Sequence, residues 1–157
     1  MEIVKTIADS MTEQVHVIMP AYINGAERLF GGQLLAWLDT VAGIVGRRHA
    51  EHNVVTACID NLQFKESAYL NDTIVIIGRV TYVSNSSMEV RIDTYKEDTQ
   101  GMRRPINRAY FVMVALDEKG QPVRVPRLEI ETESQRAEWQ GGQMRQQLRR
   151  ERRQKGY

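Results

Sequence analysis

The chain has 157 residues and a formal net charge of +1, and 42% of its residues are hydrophobic and 26% charged. This length fits one domain with a buried core, and the composition excludes the disordered and fibrous classes. No apolar run approaches the roughly 18 residues that a membrane-spanning helix needs, and the first residues do not form a secretory leader. We therefore expect a cytoplasmic protein without a membrane partner.

The first predicted elements are a short strand and one long helix. Residues 15–19 predict a strand that Pro20 ends, and residues 21–30 predict a loop. A helix is predicted from Gly31 to about residue 49, because apolar residues recur at helical spacing along it. The apolar positions of this face are Leu34, Leu38, Val41 and Val45.

After this helix the hydrophobic period changes to two, which predicts β-strands. The predicted strands are residues 54–64, 73–83, 88–95 and 109–116, and a second helix is predicted over residues 134–153. Consecutive strands with short connections predict a mostly antiparallel sheet. The fold class is therefore α+β, with the sheet curled around the long helix.

The thiol and imidazole groups favour structural roles. Cys58 lies in an apolar stretch without a polar activator, so we expect a reduced, buried thiol. His49 and His52 lie near the end of the predicted helix, where positive charge complements the helix dipole, and His16 is isolated in the first strand. No residue grouping has metal-ligand spacing and no Gly-x-Ser-x-Gly motif occurs, so we expect neither a metal site nor a serine nucleophile.

The charge is distributed unevenly along the chain. Residues 136–157 carry seven Lys or Arg and two Asp or Glu, a net charge of +5, which leaves −4 for the other residues. Such a basic segment indicates a polyanionic partner, namely nucleic acid, a membrane surface or a phosphorylated cofactor, unless it is simply a solvated helix end. The segment is poor in aromatic residues and matches no DNA-binding motif, so its composition does not support nucleic acid.

A second stripe on the first helix consists of small residues and one carboxylate. Its members are spaced three or four residues apart: Gly32, Ala36, Asp39, Gly43, Gly46 and Ala50. Close packing against a strand or a partner helix would explain the glycines, which cost about 1 kcal/mol each relative to alanine. It does not explain Asp39, because a carboxylate in such a contact requires a partner.

This stripe suggests a hydrolytic site. Asp39 is a candidate general base, and the free N–H groups at Gly31 and Gly32 are candidate donors to a developing oxyanion. A carboxylate and an oxyanion donor are the minimum that water needs to hydrolyse an activated ester.

The segment from Asn24 to Ile44, with its run Phe30-Gly31-Gly32 and Asp39, resembles the core signature of hotdog-fold acyl-CoA thioesterases. Further matching stretches are residues 54–60, 86–90, 111–117 with Gly120, Pro122, Val125 and Pro126, and 131–133 with the arginine-rich tail. The resemblance covers nearly the whole chain. It implies an antiparallel sheet wrapped around a long central helix in residues 1–130, followed by a basic helical extension in residues 131–157.

The resemblance also implies an activity and an assembly. Fatty acyl-CoA would be hydrolysed to free acid and coenzyme A, which is part of the substrate, so that no separate cofactor is needed. Asp39 would activate water, Asn24 of a neighbouring subunit would be its partner, and the Gly32 N–H would polarise the thioester carbonyl. The residues implied at the coenzyme A site are Val55, Thr56, Ala57, Asn85, Ser86 and Ser87, with Arg145 or Arg149 at the phosphates. A homodimer is the implied minimum, commonly within a trimer of dimers.

Two other functions fit the same fold. A non-catalytic acyl-CoA sensor would need no carboxylate on the small-residue stripe and would carry a DNA-binding segment. A hydratase would use an aspartate with a histidine, and no histidine here lies in a suitable motif. A thioester's leaving thiol has a pKa of about 8.5, so hydrolysis needs little acid assistance and fits a site built on a carboxylate. Acyl chain length and the choice between dimer and hexamer stay open.

Overall fold

The computed structural model describes residues 2–157. Its α-helices and strands, in chain order, are β1 (Val4–Thr6), β2 (Thr12–Val17), α1 (Gly31–Ala50), β3 (Asn53–Asp60), β4 (Thr73–Val83), β5 (Ser87–Glu97), β6 (Arg103–Leu116), β7 (Arg127–Glu129) and α2 (Glu133–Lys155). No helix in this part of the chain is long and apolar enough to span a membrane.

Five strands form one antiparallel sheet in the order β2-β4-β5-β6-β3. The sheet curls around α1, which contacts all five strands. β1 and β7 pair in parallel as a separate two-stranded sheet. The predicted α+β class and the curled antiparallel sheet are confirmed. β3 lies at one end of the sheet and, within residues 2–157, pairs only with β6, so the other side of its backbone is free to pair with another strand.

The inner face of the sheet packs on α1 through apolar side chains. Leu38, Val41 and Val45 are fully buried in this core. Gly78 of β4 marks the closest approach, because a Cβ atom there would lie 2.8 Å from Ile92 Cδ1 and 2.9 Å from Val41 Cγ1. The core therefore requires glycine at this position.

The outer face of the sheet carries α2. Val90 and Ile92 of β5 point into the core, so the alternating side chains of Glu89, Arg91 and Asp93 point to the opposite face. The helix makes ion pairs with this face, which are described below with the site. At Gly142 the helix backbone comes closest, since a Cβ atom there would lie 2.6 Å from Tyr82 Cβ and 3.0 Å from Glu89 Oε1.

Several element boundaries differ from the sequence prediction. The strand predicted over residues 54–64 ends at Asp60, because Asn61 adopts a left-handed conformation with φ of 60°. The strand predicted from residue 109 begins at Arg103, since its polar first half pairs with the end of β5.

At the N-terminus, the predicted strand 15–19 is found at residues 12–17, and β1 and β7 were not predicted because each has only three residues. Cys58 is a free cysteine but only partly buried, which corrects the expectation of a buried thiol. Burial and the nearby Asp60 carboxylate raise the pKa of this thiol.

Candidate active site

Asp39 lies on the exposed side of α1, beside the edge strand β3. The hydroxyl group of Thr56 on β3 donates a 2.6 Å hydrogen bond to Asp39 Oδ1. Within residues 2–157 the second carboxylate oxygen has no hydrogen-bond partner. Hydrogen bonds to a charged acceptor are short and strong, so Thr56 fixes the orientation of the carboxylate and leaves one oxygen available to bind water.

The side chain of Asn24 organises the loop before α1. Its Oδ1 accepts hydrogen bonds from the backbone N–H groups of Ala26 at 2.9 Å and Arg28 at 3.2 Å. No acceptor for its Nδ2 group lies in the described part of the chain, and the residue is exposed. Asn24 is therefore held by its oxygen and offers an amide N–H donor to a ligand.

The first turn of α1 offers two further donors. The N–H groups of Gln33 and Leu34 bond to the carbonyl oxygen of Phe30, whereas those of Gly31 and Gly32 have no acceptor in residues 2–157. A Cβ atom at Gly32 would lie 2.6 Å from the Phe30 ring, so a larger residue there would displace this exposed ring. These free donors and the helix dipole favour negative charge at this point.

The structure places the predicted catalytic residues in two groups within one chain. Asn24 and Gly31 line one small cavity at the start of α1. Asp39 is seven residues beyond Gly32, which corresponds to about 10 Å along the helix axis. Asp39 and the Gly32 N–H of one chain are therefore too far apart to act on the same carbonyl group.

A larger cavity of about 710 Å³ lies between the end of α2 and strands β3, β5 and β6. Of the residues predicted to bind coenzyme A, Ala57, Ser86, Ser87 and Arg149 line it. Ala57 is the extra residue of a β-bulge, where the register of β3 shifts. The other four predicted residues lie outside this cavity: Val55, Thr56, Asn85 and Arg145.

Most arginines of α2 that face the sheet form ion pairs. Arg145 bonds to both carboxylate oxygens of Glu89, at 2.9 and 2.7 Å. This predicted phosphate ligand is therefore already paired with a carboxylate of its own chain. Arg149 and Arg152 bond to Asp60 at 2.8 and 3.0 Å. Burial raises the pKa of Asp60, but these two arginines outweigh burial and lower it.

Two arginines of the same cavity are unpaired. Arg150 and Arg153 line it, and neither side chain has a carboxylate partner among residues 2–157. Sequence reasoning missed both residues. A 23-residue helix with six arginines does not reveal which of them point toward acidic strands that are distant in sequence.

The histidines lie apart from this chemistry. His16 stacks on Trp37 with ring centroids 4.2 Å apart, and the fully buried His49 donates from Nε2 to the Pro126 carbonyl oxygen at 2.8 Å. His52 bonds to the carbonyl oxygen of Ala50. None of these side chains hydrogen-bonds to Asp39, so the carboxylate's partner is the hydroxyl of Thr56.

Comparison with known proteins identifies the family. Residues 27–102 match the model of the thioesterase superfamily. The chain is 33% identical over 144 residues to the cytosolic acyl coenzyme A thioester hydrolase of Rattus norvegicus, an alignment that covers 89% of this chain and 38% of the rat protein. It is 36% identical over 119 residues to an uncharacterized acyl-CoA thioester hydrolase of Bacillus subtilis, covering 75% of this chain and 69% of the relative. The chain thus spans about two-fifths of the rat protein's length.

Comparison with solved structures points to the same family. An apo-hexameric acyl-CoA thioesterase is 33% identical and superposes with a TM-score of 0.90, covering 95% of this chain and 96% of its own. An acyl-CoA hydrolase from Staphylococcus aureus, in complex with butyryl coenzyme A, coenzyme A and coenzyme A disulfide, is 28% identical, with a TM-score of 0.91 and coverages of 97% and 93%. Related structures of that enzyme carry an alanine in place of an asparagine, an aspartate or a threonine. The chain belongs to the hotdog-fold acyl-CoA thioester hydrolase family of the thioesterase superfamily.

Proposed function

We propose that the protein hydrolyses acyl-CoA thioesters to a free acid and coenzyme A, in a site formed between two copies of the chain. The observation that supports this most directly is the 2.6 Å hydrogen bond from Thr56 to Asp39 on an exposed surface. Asparagine, aspartate and threonine are also the residue types replaced by alanine in structures of the Staphylococcus aureus hydrolase.

In the proposed reaction, Asp39 accepts a proton from water as the water oxygen attacks the thioester carbonyl carbon. The carbonyl oxygen becomes an oxyanion, which the Gly32 N–H and the Asn24 Nδ2 group of the second copy stabilise. The C–S bond then breaks and coenzyme A leaves as a thiolate. The thiolate takes up the proton, and Asp39 returns to its ionised form. Thr56 holds the carboxylate in position throughout.

The requirement for a second copy follows from two features of the chain. Asp39 lies about 10 Å along the helix from Gly32, so one chain cannot bring both groups to one carbonyl. The edge strand β3, which carries Thr56, has one side that is unpaired in the described part of the chain, where a second β3 can add. We therefore propose a homodimer as the active unit, within a trimer of dimers. The hexameric thioesterase among the structural neighbours supports this assembly.

Coenzyme A would bind in the 710 Å³ cavity beside Ala57, Ser86 and Ser87. The prediction of a tail arginine at the phosphates stays a prediction, and the geometry favours Arg150 and Arg153 over Arg145 and Arg149 for this role. The two favoured residues lack partners in the described chain, whereas the others would have to give up a carboxylate. Arginine forms strong, often bidentate hydrogen bonds to phosphate oxygens.

Mixed oligomers test the shared site. Asn24→Ala and Asp39→Ala subunits, each inactive alone against butyryl-CoA, should regain part of the wild-type turnover when they are refolded together. A mixed dimer contains one site with both residues intact and one with neither. Two differently tagged variants, purified through both tags, confirm that mixed dimers are present.

The control mixes two differently tagged Asp39→Ala preparations, which should stay inactive. Verified mixed dimers without recovered activity would show that Asn24 and Asp39 do not act across a subunit interface. Wild-type protein that binds butyryl-CoA but never releases free thiol would instead be a non-catalytic sensor.

A further inference from the structure

The helix α2 turns charged side chains toward the sheet and uncharged side chains toward solvent, which is the reverse of an ordinary surface helix. Glu138, Arg145 and Arg149 all bond to charged groups of the strands beneath them. Between residues 137 and 148, about three turns of helix, every exposed residue is uncharged. These exposed residues are Ala137, Gln140, Gln143, Met144, Gln147 and Leu148.

Four residues of this outer side form a continuous seam with the spacing of a helix–helix contact. They lie four, three and four residues apart, which is the heptad spacing at which two helices pack along their length. The two larger side chains of the seam, Met144 and Leu148, are 69% and 51% exposed. Contiguous exposed apolar residues, unlike scattered ones, are typical of an interaction surface. The seam residues are Ala137, Gly141, Met144 and Leu148.

The two adjacent glycines of α2 differ in what they contact. Gly142 packs on the sheet, where a Cβ atom would lie 2.6 Å from Tyr82 Cβ. At Gly141 the three atoms nearest to a Cβ position all belong to the flexible end of the Arg145 side chain, the nearest at 3.1 Å. Packing within the chain therefore does not require glycine at this position, although glycine inside a helix lowers its stability. Close approach of a second helix gives a reason for it.

We propose that the seam joins two copies of the chain through an antiparallel α2–α2 contact, an inference that rests on the β3 dimer of the proposed function. With the two-fold axis between residues 142 and 143, Ala137 faces Leu148 of the partner subunit and Gly141 faces Met144 of the partner subunit. Each large side chain then packs against a small one. A parallel pair would instead place large side chains against large ones and leave gaps between the small ones.

The charges at the two ends of the seam fit the same arrangement. Arg136 and Glu151 flank the seam and are exposed, and neither has an ion-pair partner within residues 2–157. The antiparallel register brings Arg136 of one chain to Glu151 of the partner subunit at both ends of the contact. In a parallel pair each charge would face its own copy. Exposed ion pairs add little strength, but complementary charges select the register and orientation of an interface.

The contact is too small to hold two single chains together. Residues 137–148 span about 18 Å of helix, and one helix pair of this length buries less than the roughly 1,200 Å² of a stable interface. It therefore acts between dimers that β3 has already formed, where the two α2 helices of each dimer reinforce each other. One two-fold contact through β3 and another through α2 are sufficient to close a ring of dimers, such as a trimer of dimers.

Met144→Glu tests the contact by placing a charge on the seam. Met102→Glu is the matched control, because Met102 is 70% exposed in the β5–β6 turn. By light scattering, the wild type and the control should share a mass larger than that of two chains, whereas Met144→Glu should have the mass of two chains. Its kcat and KM for butyryl-CoA should stay within a few-fold of the wild type, since the proposed site lies at β3 and at the other side of α2.

An unchanged mass in Met144→Glu would overturn the proposal, as would a wild type of two chains or a variant that falls to single chains. The result also separates the contact from the proposed function. If Met144→Glu gives dimers but neither protein hydrolyses acyl-CoA, the contact stands and the proposed function fails. If both hydrolyse acyl-CoA and their masses are equal, the function stands and the contact fails.

Exchange of the end charges tests the orientation of the helices. Arg136→Glu and Glu151→Arg each oppose like charges at both ends of the contact. Either change should raise the dissociation constant between dimers about tenfold in sedimentation equilibrium. The double variant restores opposite charges and should return to within about threefold of the wild type. A double variant that associates no better than the single variants would overturn the antiparallel register.

Discussion

The two helices pack on opposite faces of one sheet and are held there by different forces. α1 contributes fully buried apolar side chains such as Leu38 and Val41 to the core. α2 contributes arginines and a glutamate, and the sheet face below it supplies partners of opposite charge. The contrast is sharpest within β5, where Ile92 faces α1 and Glu89, only 1% exposed at its side chain, accepts both bonds from Arg145.

The two modes of packing differ in what can disturb them. Apolar burial is non-directional and is not screened by salt. A buried ion pair depends on partner geometry, and its removal leaves an uncompensated charge. α1 therefore forms the permanent core that carries Asp39, whereas the position of α2 depends on charge. The +5 of residues 136–157 is partly neutralised inside the molecule and partly left facing the larger cavity.

Asp39→Asn should have the largest effect on activity of all the changes. It should slow the chemical step without lowering the stability of the fold. The amide cannot accept the proton of the attacking water, so kcat should fall about 10²- to 10⁴-fold. Asn is nearly the same size as Asp, and the side chain is exposed, so thermal unfolding should stay near that of the wild type. Steady-state kinetics with butyryl-CoA and a melting curve check both expectations. A variant that keeps more than about a third of the wild-type turnover would make Asp39 a packing residue.

Leu38→Ala and Glu89→Ala should destabilise the two faces of the sheet by different mechanisms. Leu38→Ala leaves a cavity in the core and should reduce the free energy of unfolding by about 2–5 kcal/mol. Glu89→Ala leaves Arg145 without its carboxylate, and breaking a buried pair costs about 3–5 kcal/mol. Denaturant titrations measure both losses.

Hydrogen exchange locates these losses. In Glu89→Ala the amides of α2 should exchange faster than those of α1, and in Leu38→Ala both helices should loosen. Glu151→Gln is the matched control, because Glu151 is exposed and forms no ion pair within residues 2–157. Uniform loosening in Glu89→Ala would show that α2 is part of the same cooperative unit as α1.

Replacing Arg150 and Arg153 by Gln should raise the KM for acyl-CoA about tenfold and leave kcat within a few-fold. Each of these guanidinium groups faces the larger cavity without a partner in the described chain, and because both side chains are exposed, each contact to a phosphate contributes about 0.2–1 kcal/mol. The wild-type KM should climb with ionic strength, and the double variant should show a flatter dependence.

An acyl-N-acetylcysteamine thioester lacks the nucleotide phosphates and supplies the control substrate for the arginine variants. Its kinetics should not respond to the two changes. Arg145→Gln is the matched protein control, and it should lower stability, because Glu89 loses its bidentate partner. Equal damage to both substrates in the Arg150 and Arg153 variant would mean that these arginines support the fold.

The smallest effect concerns the C-terminal end of α1, where acid should weaken the fold through His49. Burial lowers the pKa of this histidine, and the nearby Lys5 and Arg127 lower it further, although its bond to Pro126 and the charge of Asp9 act in the opposite direction. The neutral ring is therefore favoured in the folded state. The contribution of His49 to the free energy of unfolding should be fully present above the unfolded-state pKa of about 6.5, and it should decrease as the pH drops below that value.

His49→Gln removes the titrating group and should flatten the slope of unfolding free energy between pH 6.5 and 5. His52→Gln, at an exposed position two residues beyond α1, should leave the slope as in the wild type. If the His49 variant keeps the wild-type slope, other groups determine the acid sensitivity of the core.

The sequence by itself determined the long helices and strands and the position of the carboxylate. Strand 73–83 was predicted with its observed bounds, and α1 to within one residue of its end. Both segments have a strong apolar period, and that period depends only on residues close in sequence. For the same reason Asp39 could be placed on a stripe of small residues before any contact was known.

Only the tertiary structure decided which polar groups meet. The partners Thr56 and Asp39 are 17 residues apart, Arg145 and Glu89 are 56 apart, and Arg149 and Asp60 are 89 apart. Such pairs depend on strand order and on the face to which each side chain points, and no local period encodes them. Thr56 was therefore predicted as a coenzyme A contact rather than as the partner of Asp39. Arg150 and Arg153 could be recognised as unpaired only from the structure, which shows that the neighbouring arginines pair with carboxylates of the sheet.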